Sequence, residues 1–323
     1  MSDIDLLGRV LPSCFRVAEK SRLVQINRPR LAEFACDLAA ALPREMRHTQ
    51  HHFIGEPEST AGYFLVLDAL NFGSGFFQHL APYNGEHGYY AVASALRDWI
   101  HHNRAPSPQT LQSITPDEVF ELMGQPKRPE LARLIDWFTR ALRELGEFTQ
   151  DRLGGRYENL LINADHSALD MVAMLCEMPM FRDIAMYEGE DVYFLKRAQI
   201  CVQDIAIASA EPGLSGLGVQ GLERLTVFAD NMLPFILESE GVLSYTDVLS
   251  RQIQAGEDLG MGSPAELELR ANSIVACELL RQTLEKQGVG ITAREIDFAL
   301  WNLGDRKASA SAKRLHVCRS YYY

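Results

Sequence analysis

The sequence predicts a mainly α-helical, compact protein with at most a few short strands. Apolar residues recur at three- and four-residue spacing through several long segments, two-residue alternation is almost absent, and Pro and Gly fall where helices would break or stop. Taken in order, Tyr63-Phe64-Leu65-Val66-Leu67 is an apolar run that ends at Asp68. Pro106-Ser107-Pro108 and Pro116 break helices in the first third. Leu134, Ile135, Phe138, Leu142, Leu145 and Phe148 then form a helical stripe that Gly154-Gly155 stops. Ser167 stands three residues before Asp170, which predicts a capped helix over 171–178 that Pro179 closes. Asp191-Val192-Tyr193-Phe194, after a turn at Glu188-Gly189, is the clearest strand, although the same residues suit the first turn of a helix. Leu195, Ala198, Val202 and Ile205 make the next stripe, and 211–221 is a Gly- and Ser-rich loop. Pro234 suits the first position of a helix that Gly241 ends. A long amphipathic run over 266–287, with Leu267, Ile274, Leu279, Leu280 and Leu284, stops at Gly288.

Composition narrows the class. The chain has 323 residues, of which 47% are hydrophobic and 23% charged, so it has the makings of a packed core. Linkers are scarce and no repeat of roughly 20–50 residues appears, which disfavours a solenoid. The prediction is a single helical domain over 1–323, with room for two lobes and an active-site cleft between them. A net charge of −12 opposes an electrostatic grip on nucleic acid, while leaving space for a local site that takes a small anion. The six cysteines are scattered without a C-x-x-C pair, which argues against a disulfide framework and for a reducing compartment. No stretch reaches the roughly 18 uncharged apolar residues of a membrane helix. The expectation is therefore a cytoplasmic protein without membrane or nucleic-acid partners and of unspecified oligomeric state.

Widely used chemical signatures are missing: there is no G-x-x-x-x-G-K-[ST], no H-E-x-x-H and no G-x-S-x-G. Gly73-Ser74-Gly75 reads as a helix connection more readily than as a phosphate loop. His48, His51 and His52 have a spacing that can share a metal, but no carboxylate partners stand at ligand spacing, so a polar cluster or pocket lining is the preferred reading. Asp68 and Asn71 lie one helical turn apart at the edge of an apolar run. They suit either helix capping or the polar edge of a bound base. Lys196, Gln199 and Gln203 follow one polar stripe, by default a solvated face, with Lys196 at the margin of a pocket as the alternative. Asp230 stands between two hydrophobic stretches, where it either caps the following helix or projects into a cleft as nucleophile, general base or cation stabiliser.

At these residues the chain resembles the queuosine salvage protein family, the queuosine 5′-phosphate N-glycosylases. Four ordered blocks carry the likeness. The first is Asp68-Ala69-Leu70-Asn71-Phe72. The second joins Phe181-Arg182-Asp183, Tyr187-Glu188-Gly189 and Lys196-Arg197-Ala198-Gln199-Ile200. Phe228-Ala229-Asp230 with Leu233-Pro234 is the third, and Glu268-Leu269-Arg270-Ala271 with Glu278-Leu279 the fourth. Leu300-Trp301 and the tail from His316 to Tyr323 add support. The likeness runs from about residue 60 onward; Gly73-Ser74-Gly75 departs from the family's aromatic continuation, and the first 50 residues match loosely. The resemblance implies an all-helical fold akin to helix-hairpin-helix DNA glycosylases. It also implies hydrolysis of the N-glycosidic bond of queuosine 5′-monophosphate to queuine and ribose 5-phosphate, with no cofactor and no metal. An aspartate and a lysine belong to such an active site, and Asp230 and Lys196 fit.

These residue types suit the reaction. Cleaving a ribosyl–nitrogen bond develops positive charge at the anomeric carbon, which a fixed carboxylate stabilises more in the transition state than in the ground state. Lys196 would keep Asp230 ionised or donate to substrate. Asp68 and Asn71 are expected at the base edge and Phe72 at its face, with Tyr187 and Trp301 as further aromatic candidates that core packing explains equally well. Arg197, Arg270, His316 and Arg319 are candidates for the 5′-phosphate, Arg270 being as well suited to an ion pair with Glu266 or Glu268. The competing readings are a metal-dependent phosphohydrolase, a non-catalytic binder of a modified nucleoside, and a glycosylase acting on nucleic acid.

Overall fold

Prolines and short polar side chains set the helix starts. The structure, a computed structural model, describes residues 5–42, 46–47, 49–103, 105–308 and 313–323. Its first half holds α1 (Val10–Lys20), β1 (Val24–Ile26), α2 (Arg28–Ala41), α3 (Pro57–Ala69) and α4 (Gly88–Asn103). There follow α5 (Pro108–Ser113), α6 (Pro116–Leu122), α7 (Pro129–Leu153), α8 (Asn159–Asn163) and α9 (Ala168–Leu175). The second half holds β2 (Ile184–Tyr187), β3 (Glu190–Tyr193), α10 (Lys196–Ala208) and α11 (Met232–Ser239). It ends with β4 (Leu243–Tyr245), α12 (Asp247–Ala255), α13 (Pro264–Lys286) and α14 (Ala293–Ala308). Among the described residues 61% are helical, short 3-10 turns included, and the four strands are short and antiparallel, so the fold is mainly α.

Pro57, Pro108, Pro116, Pro129 and Pro264 each open a helix, at the position where a missing N–H costs nothing. Ser107, Ser167 and Ser263 accept from the third amide of their helices, and Thr115 with Glu118 forms a complete capping box. Ser167 caps α9 directly, so this helix covers 168–175 rather than the expected 171–178, and it ends before Pro179. Asp191 to Tyr193 lie in a strand that starts at Glu190, with Phe194 just past its end: β2 and β3 pair as a hairpin, Tyr187 opposite Glu190. Its two turn residues, Glu188 and Gly189, both have positive φ, as a two-residue hairpin turn demands.

Two helices are buried almost throughout. Ser59 to Ala69 of α3 are buried on all sides, packed among α4, α7 and α10. Glu266 to Cys277 of α13 are likewise buried, against α1, α2, α11 and α14. The polar stripe of α10 is not a solvated face: Lys196, Arg197, Gln199 and Gln203 are all buried. The chain's last residues lock the two halves together. The Tyr323 carbonyl accepts from Gly73 N at 3.0 Å, and Gly75 lies so close to the Cys318 carbonyl that an added Cβ would stand 2.4 Å from it. Gly75→Ala is therefore expected to lower stability by about 1–3 kcal/mol through overpacking, read as a lower urea midpoint. An unchanged midpoint would mean that the tail is loosely seated.

Candidate active site

The site grows from the ends of three elements. After β3, Leu195 adopts a left-handed conformation (φ 54°) that turns the chain into α10. The Lys196 amide donates to Asp183 Oδ2 at 3.2 Å, and its ammonium donates to both oxygens of Asn71, backbone and side chain, at 3.1 Å each. Asn71 follows the end of α3 and passes its Nδ2 to Asp68 Oδ1 at 3.0 Å. Asp230 precedes α11 and accepts from the amides of Met232 (2.7 Å) and Leu233 (3.3 Å) through Oδ1. The carboxylate thus starts the helix two residues earlier than Pro234, which sits third, where its missing N–H has no partner to lose. Capping and site geometry coincide at Asp230, which remains half-buried.

Electrostatics tie these groups together. Burial raises the Asp230 pKa, opposed first by the Lys196 ammonium and then by the two capping amides. Burial lowers the Lys196 pKa, opposed first by Asp230 and then by Asp68. Two carboxyls with no assigned role in the sequence reading join the cluster. Asp204 of α10 has a raised pKa from burial and from Asp68, and Asp297 of α14 is pushed up to about 8 by burial, while accepting from Phe228 N at 2.8 Å. Asp68 is also raised, chiefly by burial, and its Oδ2 has no hydrogen-bond partner. Each of the four carboxyls therefore feels the Lys196 charge across a largely buried space.

The other expected site residues are committed elsewhere. Arg197 lies between the rings of Phe72 (4.7 Å) and Phe181 (4.8 Å) and donates to the carbonyls of Asp68, Ala69 and Met180. Phe72 also meets Phe138 edge-on, so its ring faces are core contacts. Arg270 is fully buried, paired to Asp183 (2.5 Å) and Glu266 (3.2 Å) between the rings of Phe194 and Tyr323. Glu268 is not its partner: that carboxylate takes the amides of Arg22, Leu23 and Val24 and the Tyr187 hydroxyl. His316 is buried against the Tyr323 hydroxyl, and burial, then the Arg270 charge, holds its pKa down at about 3. Arg319 is the exception: its guanidinium stands 5.5 Å from the Phe76 ring centroid, and its buried Nε has no hydrogen-bond partner. Trp301 is half-buried, edge-on to Tyr89 and Tyr90, and Tyr89 shares a 2.8 Å hydrogen bond with His52 Nε2 and feels the Asp204 and Asp68 charges. His51 faces Ser94 and Glu86, and His48 lies outside the described residues. Among the described residues no group of three or more His, Cys, Asp or Glu could hold a metal.

The family described as "Queuosine salvage protein" matches residues 51–323. The chain belongs to that family. It is 34% identical to a Sphaerobacter thermophilus protein named queuosine 5′-phosphate N-glycosylase/hydrolase, over 99% of this chain and 98% of that one. A Mus musculus protein of the same name is 30% identical over 95% and 96% of the two chains. One from Dictyostelium discoideum is 32% identical over 77% and 74%. The family match includes Asp68, Asn71, Lys196, Asp204, Asp230 and Asp297 alike. Asp204 and Asp297 had a readable signal. Asp204 stands seven residues, two turns, beyond Arg197, and Asp297 shares the apolar face of Ile296, Leu300 and Gly304, positions where a carboxylate is costly unless it is used.

Arg270→Ala should cost about 3–5 kcal/mol, because two buried carboxylates lose their counter-charge. A urea midpoint left in place, with a weakened KM for a phosphorylated substrate, would instead make Arg270 a phosphate ligand. Asp297 binds its proton more tightly folded than unfolded, so its contribution to stability falls as pH rises from about 4 to about 8. Asp297→Asn is expected to lose less thermal stability than the parent between pH 5 and pH 8; an identical decline would show that Asp297 does not titrate there.

Proposed function

We propose that this protein hydrolyses queuosine 5′-phosphate at its N-glycosidic bond, releasing queuine and ribose 5-phosphate, with Asp230 and Lys196 as its catalytic residues. The reading is carried by the near end-to-end likeness to proteins named for that activity. The chemistry of the cluster supports it. In a ribosyl transfer the C1′–N bond breaks, its electron pair leaves with the base, and water adds to C1′. Asp230, fixed by two helix amides, offers a preorganised carboxylate to the cationic sugar and takes a proton from the attacking water. That proton balances the one the leaving base must gain. Queuine is a 7-deazaguanine and lacks the N7 that other purines protonate, so its departure depends on hydrogen bonds at other positions. Asp68, Asn71 and the raised carboxyl of Asp204 provide donors and acceptors for this.

Lys196 keeps Asp230 ionised in a setting that otherwise favours the neutral acid. Its ammonium is oriented by Asn71, so the charge has a fixed position. The substrate is a free nucleotide rather than a polymer, in keeping with a net charge of −12. A cytoplasmic setting suits the six unpaired thiols. We take the chain as one helical domain, because a single buried apolar cluster runs from Leu7 to Leu300.

Purified protein incubated with queuosine 5′-phosphate should yield queuine by chromatography; recovery of intact nucleotide bound to protein would indicate a binder instead. Asp230→Asn should lower kcat by about a hundredfold or more with KM within about tenfold, since the loss belongs to the transition state. Normal turnover would leave Asp230 as a helix cap alone. Lys196→Ala should also lower kcat strongly and shift the acid limb of the pH–rate profile upward, as Asp230 loses its counter-charge.

A further inference from the structure

The segment that carries Asp230 is held from both sides by helices distant in sequence. From α13, Arg270 donates Nε to the Ala229 carbonyl at 3.0 Å. From α14, Asp297 accepts the Phe228 amide at 2.8 Å. Asp297 is buried (7% exposed) and reaches Phe228 because α14 lies hard against α11. Gly304 lies at that contact, where an added Cβ would meet the Met232 side chain. Phe228 and Ala229 are themselves buried, so the backbone leading into Asp230 has no slack on its protein side. A buried carboxyl spent on one backbone amide is a costly way to satisfy a single donor, and a loop that only had to be covered would not need it.

We propose that Asp297 is a positioning residue for the glycosidic hydrolysis: through its hydrogen bond to the Phe228 amide it sets where the Asp230 carboxylate stands relative to Lys196. The inference rests on the function proposed above. Asp297 touches neither of the reacting atoms in this assignment; it acts through two residues of backbone. What matters is an acceptor at the right place, not a second negative charge beside Asp230.

Asp297→Asn and Asp297→Glu separate the two roles. Asn keeps an oxygen acceptor at the same reach without the charge, whereas Glu keeps the carboxyl but moves it one methylene outward. With queuosine 5′-phosphate as substrate, Asp297→Asn should hold kcat within about threefold of the parent. Asp297→Glu should lower it by roughly tenfold to a hundredfold at near-constant KM, since a small misplacement of the carboxylate is enough for that loss. Should the Glu variant fail to fold in thermal unfolding, Asp297→Ala, which removes the acceptor from the Phe228 amide, takes its place and is expected to show the same loss of kcat at near-constant KM. Asn as slow as Glu, or a folded Glu variant at the parent's rate, overturns the proposal. Absence of queuine release by the parent protein would overturn the proposed function instead, and that control is read first.

Discussion

One guanidinium joins the two halves of the site. Arg270 gives two nitrogens to Asp183 and Glu266 and its third, Nε, to the carbonyl of Ala229. Asp183 in turn receives the amide of Lys196, and its own carbonyl takes the amides of Phe194 and Leu195. A continuous path of buried hydrogen bonds therefore runs from the backbone of Lys196, through Asp183 and Arg270, to the residue before Asp230. Burying three charges this deeply costs several kcal/mol per ion before their attraction is counted, and an apolar replacement would often be as stable. What an apolar core does not supply is direction. The rings of Phe194 and Tyr323 pack against the guanidinium, which together with its four hydrogen bonds fixes the direction of the fork.

The carboxyl cluster follows from the same economy of space. Asp68, Asp204, Asp230 and Asp297 share the single ammonium of Lys196, and burial raises the pKa of all four. Asp230 differs from the others in its partners. It alone among them has helix-start amides as well as the lysine to favour its charged form. Asp297 is pushed up chiefly by burial, with a single amide opposing that and the Asp230 charge adding to it. Environments that push neighbouring carboxyls toward different protonation states are how one small space holds both an anion and a set of neutral donors.

Much of the fold was legible because helix starts are local chemistry. Prolines and Ser or Thr caps need only a few neighbouring residues to act, and the long periodic runs at 134–148 and 266–287 became α7 and α13. Asp230, Lys196, Asp68 and Asn71 were legible as a set through the ordered family blocks; the structure hydrogen-bonds Lys196, Asn71 and Asp68 to one another and leaves Asp230 within reach of the Lys196 charge. The α10 stripe misled for a physical reason. Periodicity reports which residues share a face, not what that face meets, and here the polar face meets α3 and the Asp230 segment rather than water. The basic residues misled similarly: an arginine's preference for phosphate and its preference for backbone carbonyls come from the same fork of donors. Arg197 uses it on three carbonyls, two of them more than a hundred residues away in sequence and invisible to spacing.

That outcome constrains how a phosphorylated substrate is held. Arg197, Arg270 and His316 have committed their donors inside the fold, and withdrawing them would uncouple the tail, the hairpin or the Asp230 segment. A protein with a net charge of −12 also repels an approaching dianion at long range, though beyond about 8 Å this repulsion is screened at physiological salt. Affinity for a nucleotide must therefore come from short-range contacts made after the substrate has entered, where hydrogen bonds in a low-dielectric space are strong. Under the proposed function, the base is the part of the substrate best able to supply them, because it would present several donors to a cluster rich in carboxyl oxygens. Recognition weighted toward the base also suits the chemistry, since the hydrogen bonds that hold the base are the ones that strengthen as it leaves.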